Sequence, residues 1–221
     1  MNCIINVSNG AWYPTGAMRQ RKSLRAVGYG GKYHSWVNSY PEGCPSHQAA
    51  PYAFKPYAFK WAIKQGYDSI IWMDSAVWAK KNPQPIFDQI DKDGYFVLQN
   101  GWTSGEWCTD RQLQAFDLTR EEALKIPHPL ACVVGINIAR SEGLELFREY
   151  IKNVNLFPGA WTNENGEVSP DKRVLGSRHD QAVLGLIMHK LKLKYTFPRV
   201  DGEWLDYKIT NKESILLTQG M

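Results

Sequence analysis

The sequence predicts an α/β protein with a mostly parallel central sheet flanked by helices. Short apolar runs of strand length alternate with helical patterns through the first half of the chain, which indicates βαβ units. One such run lies in residues 68–78, DSIIWMDSAVW, where Ile70, Ile71, Trp72 and Met73 stop abruptly at Asp74. That run suits a buried strand and is too short for a helix. No linker divides the 221 residues, so one domain over 1–221 is expected.

Taken in order, residues 3–7 form an apolar strand followed by the turn residues Ser8, Asn9 and Gly10. Residues 16–27 have a helical pattern, which Gly28, Gly30 and Gly31 end; their spacing is not that of a phosphate loop. Residues 32–37 predict a second strand. Pro41, Gly43, Pro45 and Pro51 mark residues 39–51 as a loop. The pentapeptide PYAFK occurs at 51–55 and again at 56–60, with Pro56 suited to the first turn of a helix that stops near Gly66. The strand ending at Asp74 follows, then a short helix over 86–90 and a strand over 95–99. Residues 100–110, rich in Trp, Gly, Ser and Thr, read as a loop over a site. Thr119 and Glu122 make a capping box for a helix that ends before Pro127. An apolar run covers 131–139. Ser141 is expected to cap a helix with Leu144, Phe147 and Ile151 on one face. Residues 155–178 read as a loop, Asp180 opens a helix striped by Val183, Leu184, Ile187 and Leu191, and 194–197 reads as a last strand.

Composition narrows the classes. The net charge of +4 tolerates an anionic substrate such as a nucleotide, but is too weak to argue for nucleic acid by itself. The densest cations, Arg19, Arg21, Lys22 and Arg25, read as a solvated helix face. Aromatics reach 13%, an excess that serves either core packing or a cleft for flat or sugar-like groups. Cys3, Cys44, Cys108 and Cys132 form no CxxC pair, so no zinc site is expected. The first residues, MNCIINVSNG, lack a basic leader and a long apolar stretch, and no run approaches membrane-spanning length. A reducing cytoplasm is the simplest expected compartment.

Two segments carry chemistry. An acid at the carboxyl end of a buried strand sits where open α/β sheets bind ligands, so Asp74 either contributes to a site or caps the following turn. The second segment is Arg178-His179-Asp180-Gln181, directly before an apolar helix. Backbone N–H groups at a helix start favour anions, and an arginine forks onto phosphate oxygens. His179 suits a metal or a phosphate, and Asp180 suits a base or an N-cap. The templates HExxH, GxSxG and GxxxxGK[ST] are absent.

The order of these segments carries a resemblance. A helix bearing FKP, then WMDSA, then GINIARSEGLELF, then RHDQAVLGLI together resemble a compact GT-A-type glycosyltransferase, over residues 1 to 198. The resemblance implies a GT-A-like (Rossmann-like) sheet and an enzyme that moves a sugar from a nucleotide-diphosphate sugar to an acceptor hydroxyl. It matches Asp74 and Ser75 to the DxD-like motif that holds the donor, usually through Mn²⁺ or Mg²⁺. Here Ala76 stands where that motif has its second acid. Either His179 or Asp180 then completes a metal site with Asp74, or Arg178, Lys55 and a helix N-terminus stabilise the leaving diphosphate without metal. The resemblance also implies that Ser8, Asn9, Tyr13, Lys55, Gly135, Asn137 and Arg178 bind the nucleotide sugar. Asn100, Trp102, Trp107 and Gln181 fall on the acceptor side, and Asp180 with His179 carries catalysis. The acceptor is a glycan, a small molecule or, in a DNA-modifying version, a hydroxylated base. A further alternative is a non-catalytic nucleotide- or carbohydrate-binding module on the same fold, motivated by Ala76.

Overall fold

The computed structural model describes residues 1–197, 202–207 and 212–218. The first half runs β1 (Asn2–Ser8), α1 (Tyr13–Ala26), β2 (Lys32–Val37), α2 (Phe54–Lys64), β3 (Ser69–Met73), β4 (Val77–Ala79), α3 (Gln84–Asp93) and β5 (Tyr95–Thr103). The second half runs α4 (Ser104–Trp107), α5 (Asp110–Ala115), α6 (Arg120–Ala123), β6 (Pro127–Asn137), α7 (Ser141–Lys152), α8 (Asp180–Lys190), β7 (Leu205–Asp206) and β8 (Leu216–Thr218).

Five strands form the central sheet in the order β2-β1-β3-β6-β5. β1 pairs parallel with β2 and β3, whereas β6 pairs antiparallel with both β3 and β5. All strands but β6 therefore run the same way, and the sheet is mixed but mostly parallel. Both faces are covered, as the apolar run of β3 and the mostly apolar β1 require. Side chains alternate between the two faces. Ile5, Trp72, Val97 and Val134 pack with α2, α7 and α8. Ile4, Ile71, Met73, Phe96 and Val133 pack with residues of α1 and α3 on the other face. Ile4, Ile5, Ile71 and Met73 are fully buried, each worth about 1.5–3 kcal/mol relative to exposure.

Several local expectations change. Residues 100–110 are partly ordered: β5 extends to Thr103, and α4 follows behind a Thr103–Glu106 capping box. Ser141 is the first residue of α7 rather than its cap, which is Arg140. Leu144, Phe147 and Ile151 share a half-buried face of α7, and the fully buried Leu146 and Tyr150, one turn apart, lie deeper. Residues 194–197 form no strand; they follow the β5 edge through Thr196 N–H to Val97 O (2.8 Å) and Tyr95 Oη to Lys194 O (2.9 Å). A second sheet, β4-β8-β7, is built from segments of two or three residues, too short to show a sequence period. Among the described residues no helix is long and apolar enough to cross a membrane.

Candidate active site

β1 and β3 are parallel, so both end at the same rim of the sheet, where parallel α/β sheets open a crevice. The turn Asp74-Ser75-Ala76 leaves β3 at this rim and is tied down on every side. Asp74 N–H donates to Cys132 O at 2.8 Å. Asn6 Nδ2 donates to Met73 O (2.7 Å) and Ser75 Oγ (3.2 Å). Gln20 Nε2 donates to the carbonyls of Asp74 (3.0 Å) and Val77 (2.9 Å). Helix α1 lies directly on the turn at Gly16, where a Cβ would stand 2.3 Å from Ser75 O. Arg19 stacks on Trp78 at 3.9 Å and donates to Ala76 O at 3.2 Å. The turn is thus a fixed platform for the Asp74 side chain.

That side chain is 36% exposed and lines a cleft of about 410 Å³. Tyr13, Tyr40, Tyr52, Phe54 and Trp72 contribute aromatic wall, with Asn9 and Ser75 as polar members. Asp74 Oδ1 accepts from Trp72 Nε1 at 2.6 Å and faces Lys55 Nζ at 3.5 Å. The same ammonium donates to Asp180 Oδ2 at 2.9 Å and to Ala131 O at 3.0 Å. Tyr150 Oη donates to Asp180 Oδ2 at 2.8 Å. Lys55 therefore links the acid at the end of β3 to the acid that opens α8, and both Lys55 and Asp180 have side chains only 4% exposed. Burial alone would lower the Lys55 pKa, but Asp180 and then Asp74 outweigh it and hold the ammonium above the usual lysine value. Burial holds the Asp180 carboxyl above the usual carboxylate range, against the opposing pull of Lys55 and Tyr150.

The turn into α8 supplies a second cation. The Arg178 guanidinium lies between two indoles, 3.8 Å from the Trp107 ring and 4.1 Å from Trp161. No described carboxylate pairs with it. Its faces are covered, and a stacked guanidinium offers oxygens its edge. His179 has φ 51° and ψ −117°, a strained backbone for a residue with a side chain. Its ring lies against Tyr52 (5.3 Å) and Trp161 (5.6 Å), and burial lowers its pKa. Nδ1 faces Phe157 O at 3.2 Å, so Nδ1 carries the proton and Nε2 is an acceptor.

No protein-family model and no curated protein sequence matches the chain. Solved structures do. A glycosyltransferase involved in glycosylation of the major capsid of PBCV-1 is 13% identical, with TM-score 0.50 over 98% of this chain and 93% of that one. Mouse xyloside xylosyltransferase 1 is 12% identical, with TM-score 0.55 over 95% and 89%. The bifunctional glycosyltransferase WbbM is 10% identical, with TM-score 0.51 over 99% of this chain and 45% of its own. The fold is that of GT-A-type glycosyltransferases.

On this GT-A frame the expected site residues separate. Asn9, Tyr13, Asp74 and Ser75 line the cleft. Lys55 lies beneath it, almost fully buried, with its ammonium held by Ala131 O, Asp180 and Asp74 rather than presented to a nucleotide. Ser8 is fully buried and turned toward β2, with its Oγ 3.3 Å from Ser35 Oγ and 3.4 Å from Trp36 O. Asn137 lies at the opposite end of the sheet, because β6 is reversed: it pairs with Ser69 and donates to Asp91 Oδ1 at 2.8 Å. Gly135 gives close approach to the core rather than to a sugar, since a Cβ there would stand 2.3 Å from Ile90 Cδ1. Trp107 is the floor under Arg178, and half-exposed Trp102 meets it edge-to-face at 5.8 Å. Gln181, the second residue of α8, lies beside Arg178, with its N–H on Arg178 O at 3.0 Å. Asn100 belongs to a larger hollow of about 530 Å³ at the β5 end, away from the linked acids. The chemistry favours the smaller cleft, where Asp74 and its buried cation meet. Tyr52, Phe54 and Tyr150 escaped the sequence reading; a hydroxyl on the core face of α7 was the one available signal for Tyr150.

A divalent ion fits this donor set poorly. Among the described residues no group of three or more His, Cys, Asp or Glu is placed to hold a metal. Ala76 supplies no side-chain oxygen, its carbonyl is taken by Arg19, and Asp180 Oδ2 is shared by Lys55 and Tyr150. An ion on the Asp74 oxygen that faces Lys55 would meet a protonated ammonium. At about 4 Å and an effective dielectric constant of about 20, that repulsion is about 8 kcal/mol.

Proposed function

We propose that this protein transfers a sugar from a nucleoside-diphosphate sugar to an acceptor hydroxyl. One observation carries the reading: on a GT-A fold, Asp74 stands at the end of β3 in an aromatic-walled cleft and is joined through Lys55 to Asp180 at the start of α8. The free side of Asp74 accepts a hydroxyl of the donor ribose or sugar. Asn9 Oδ1 has no partner among the described residues, and a base or ribose donor group would satisfy it on the cleft side. Tyr13, Tyr40 and Tyr52 offer faces on which a base or sugar ring stacks. The edge of Arg178 takes the diphosphate and stabilises the charge that grows on it as the glycosidic bond breaks. Asp180 is sealed under Lys55 and Tyr150, so its part is to hold Lys55 rather than to take a proton from the acceptor.

Calorimetry with a panel of nucleoside-diphosphate sugars tests this. The wild-type chain should bind one of them, and Asp74→Ala should weaken it by at least about tenfold, or about 1.4 kcal/mol. Unchanged affinity in Asp74→Ala would remove the reading.

Ala76 and the sealed Asp180 favour one rival, a non-catalytic nucleotide- or sugar-binding module. Donor hydrolysis separates the two: binding without release of sugar to water or to any acceptor supports the module. The DNA-acceptor version loses part of its motivation, because Arg19 is committed to Trp78 and Ala76 O, and Arg21 lies over Tyr33.

A further inference from the structure

We propose that Lys55 is the built-in cation of this cleft, so that its ammonium, wedged between Asp74 and Asp180, takes the place of a divalent ion and the donor diphosphate binds without metal. The inference rests on the donor reading above and specifies how that site manages charge.

Four observations support it. The turn after β3 has Ala76 where a second acid would extend the ligand set, so Asp74 lacks the partner that a hard cation requires. The ammonium lies 3.5 Å from Asp74 Oδ1 and 2.9 Å from Asp180 Oδ2, bridging the two carboxylates. A third contact, to Ala131 O at 3.0 Å, fixes it from the β6 side. The burial is specific to this lysine: PYAFK is repeated, and Lys55 of the first copy is 3% exposed whereas Lys60 of the second is exposed. A buried lysine is expensive unless its charge is matched, and here two acids match it.

The charges also balance. Without Lys55, Asp74 and Asp180 would set two negative charges under an incoming diphosphate. Lys55 cancels one of them, and Arg178, which has no described acid partner, supplies a second fixed positive charge. Together the two side chains carry the charge of one divalent ion. Tyr52 lies between Lys55 and the turn that carries Arg178, with its ring 5.4 Å from Lys55 Nζ and 5.3 Å from the ring of His179 next to Arg178. Because Lys55 is sealed, it acts as a positioning residue: it neutralises and orients Asp74, while Arg178 meets the phosphate oxygens.

The test is calorimetry of UDP, GDP, CDP and dTDP in EDTA and in Mn²⁺, alongside an electron paramagnetic resonance titration of Mn²⁺ alone. Wild type should bind one diphosphate with affinities in EDTA and Mn²⁺ that agree within about threefold, and should take up no stoichiometric Mn²⁺. Lys55→Arg should keep metal-free binding, whereas Lys55→Ala should weaken it by at least about tenfold in EDTA, with partial recovery in Mn²⁺ as the acids become free. Diphosphate binding that requires Mn²⁺, or one Mn²⁺ per chain lost in Asp74→Asn, would overturn the inference and leave the donor reading standing. Failure to bind any diphosphate in either condition would remove the donor reading and this inference with it. If Lys55→Ala does not fold by circular dichroism, the wild-type and Lys55→Arg arms decide.

Discussion

Replacing Lys55 by Met tests the charge arrangement through stability alone, independent of any ligand. Met nearly fills the volume of the lysine stem but leaves Asp180 in a site where its side chain is 4% exposed, with Tyr150 as its remaining donor. Removing one partner of a buried ion pair costs about 3–5 kcal/mol, because the other charge is left uncompensated. The pH dependence gives a sharper signature. Burial already raises the Asp180 pKa, and Lys55 is the largest influence opposing that rise. A carboxyl whose folded pKa is raised contributes stability that is present at low pH, below its unfolded value of about 3.9, and lost as pH rises through the folded value. Without Lys55 the folded value rises further and the window of loss widens upward. The deficit of Lys55→Met should therefore be largest near neutral pH and shrink on acidification, with a slope of up to about 1.4 kcal/mol per pH unit. Urea unfolding followed by tryptophan fluorescence at pH 7.5 and pH 5 measures it. Adding Asp180→Asn should recover much of the loss, with a coupling of at least about 2 kcal/mol. A deficit under about 1 kcal/mol, or one equal at both pH values, would refute a charged Lys55–Asp180 pair.

Three further outcomes are expected. His128 is fully buried, with Nε2 unpartnered among the described residues, and burial, then Arg178, pushes its pKa down to about 3; stability should fall below pH 6.5 by about 2 kcal/mol at pH 5, and His128→Gln should flatten that part of the urea profile. Gly16→Ala drives a Cβ into Ser75 O, so it should cost about 1–3 kcal/mol, lower Tm by several degrees, and weaken donor binding by displacing the Asp74 turn. Arg178→Lys keeps the charge but loses the planar stack between Trp107 and Trp161; nucleoside-diphosphate affinity should drop about tenfold in calorimetry while Tm changes little.

How much of this was legible follows from which signals are local. The runs of β1 and β3 appear in the sequence because both sheet faces are covered and these strands are mostly apolar, whereas β2, at the sheet edge, shows as a short aromatic and β-branched run between glycines and prolines. Asp74 and Asp180 appear because each interrupts or begins an apolar run. Lys55 was visible only as a match to a family pattern, and nothing in PYAFK distinguishes it from Lys60. The difference arises from the distance of each lysine from the β3 rim. Asn137 was misplaced for a related reason: an apolar run reads the same in either direction, and the reversal of β6 carries its last residue to the far end of the sheet. The β4-β8-β7 sheet left no trace, because two or three residues cannot display a period.

The strained residue at the head of α8 explains how this short segment serves two purposes. Arg178 and Asp180 are separated by one residue, yet the first lies half-buried between two indoles and the second is sealed on Lys55. An ordinary helix entry would carry both side chains away in a regular rotation. His179, at φ 51° and ψ −117°, breaks that rotation, at a cost of about 1–3 kcal/mol. The conformation is held by Ser177 Oγ on its N–H (3.3 Å), Phe157 O on its ring, and the flanking rings of Tyr52 and Trp161. Tyr52, itself at φ 62°, faces it from the loop that delivers Lys55 to α2. Two unfavourable backbones thus meet ring to ring at the point where the chain must send one charge outward and keep its neighbour within. On the proposed reading, a backbone held this firmly suits a fixed anion site, since Arg178 would need little reorganisation to meet phosphate oxygens.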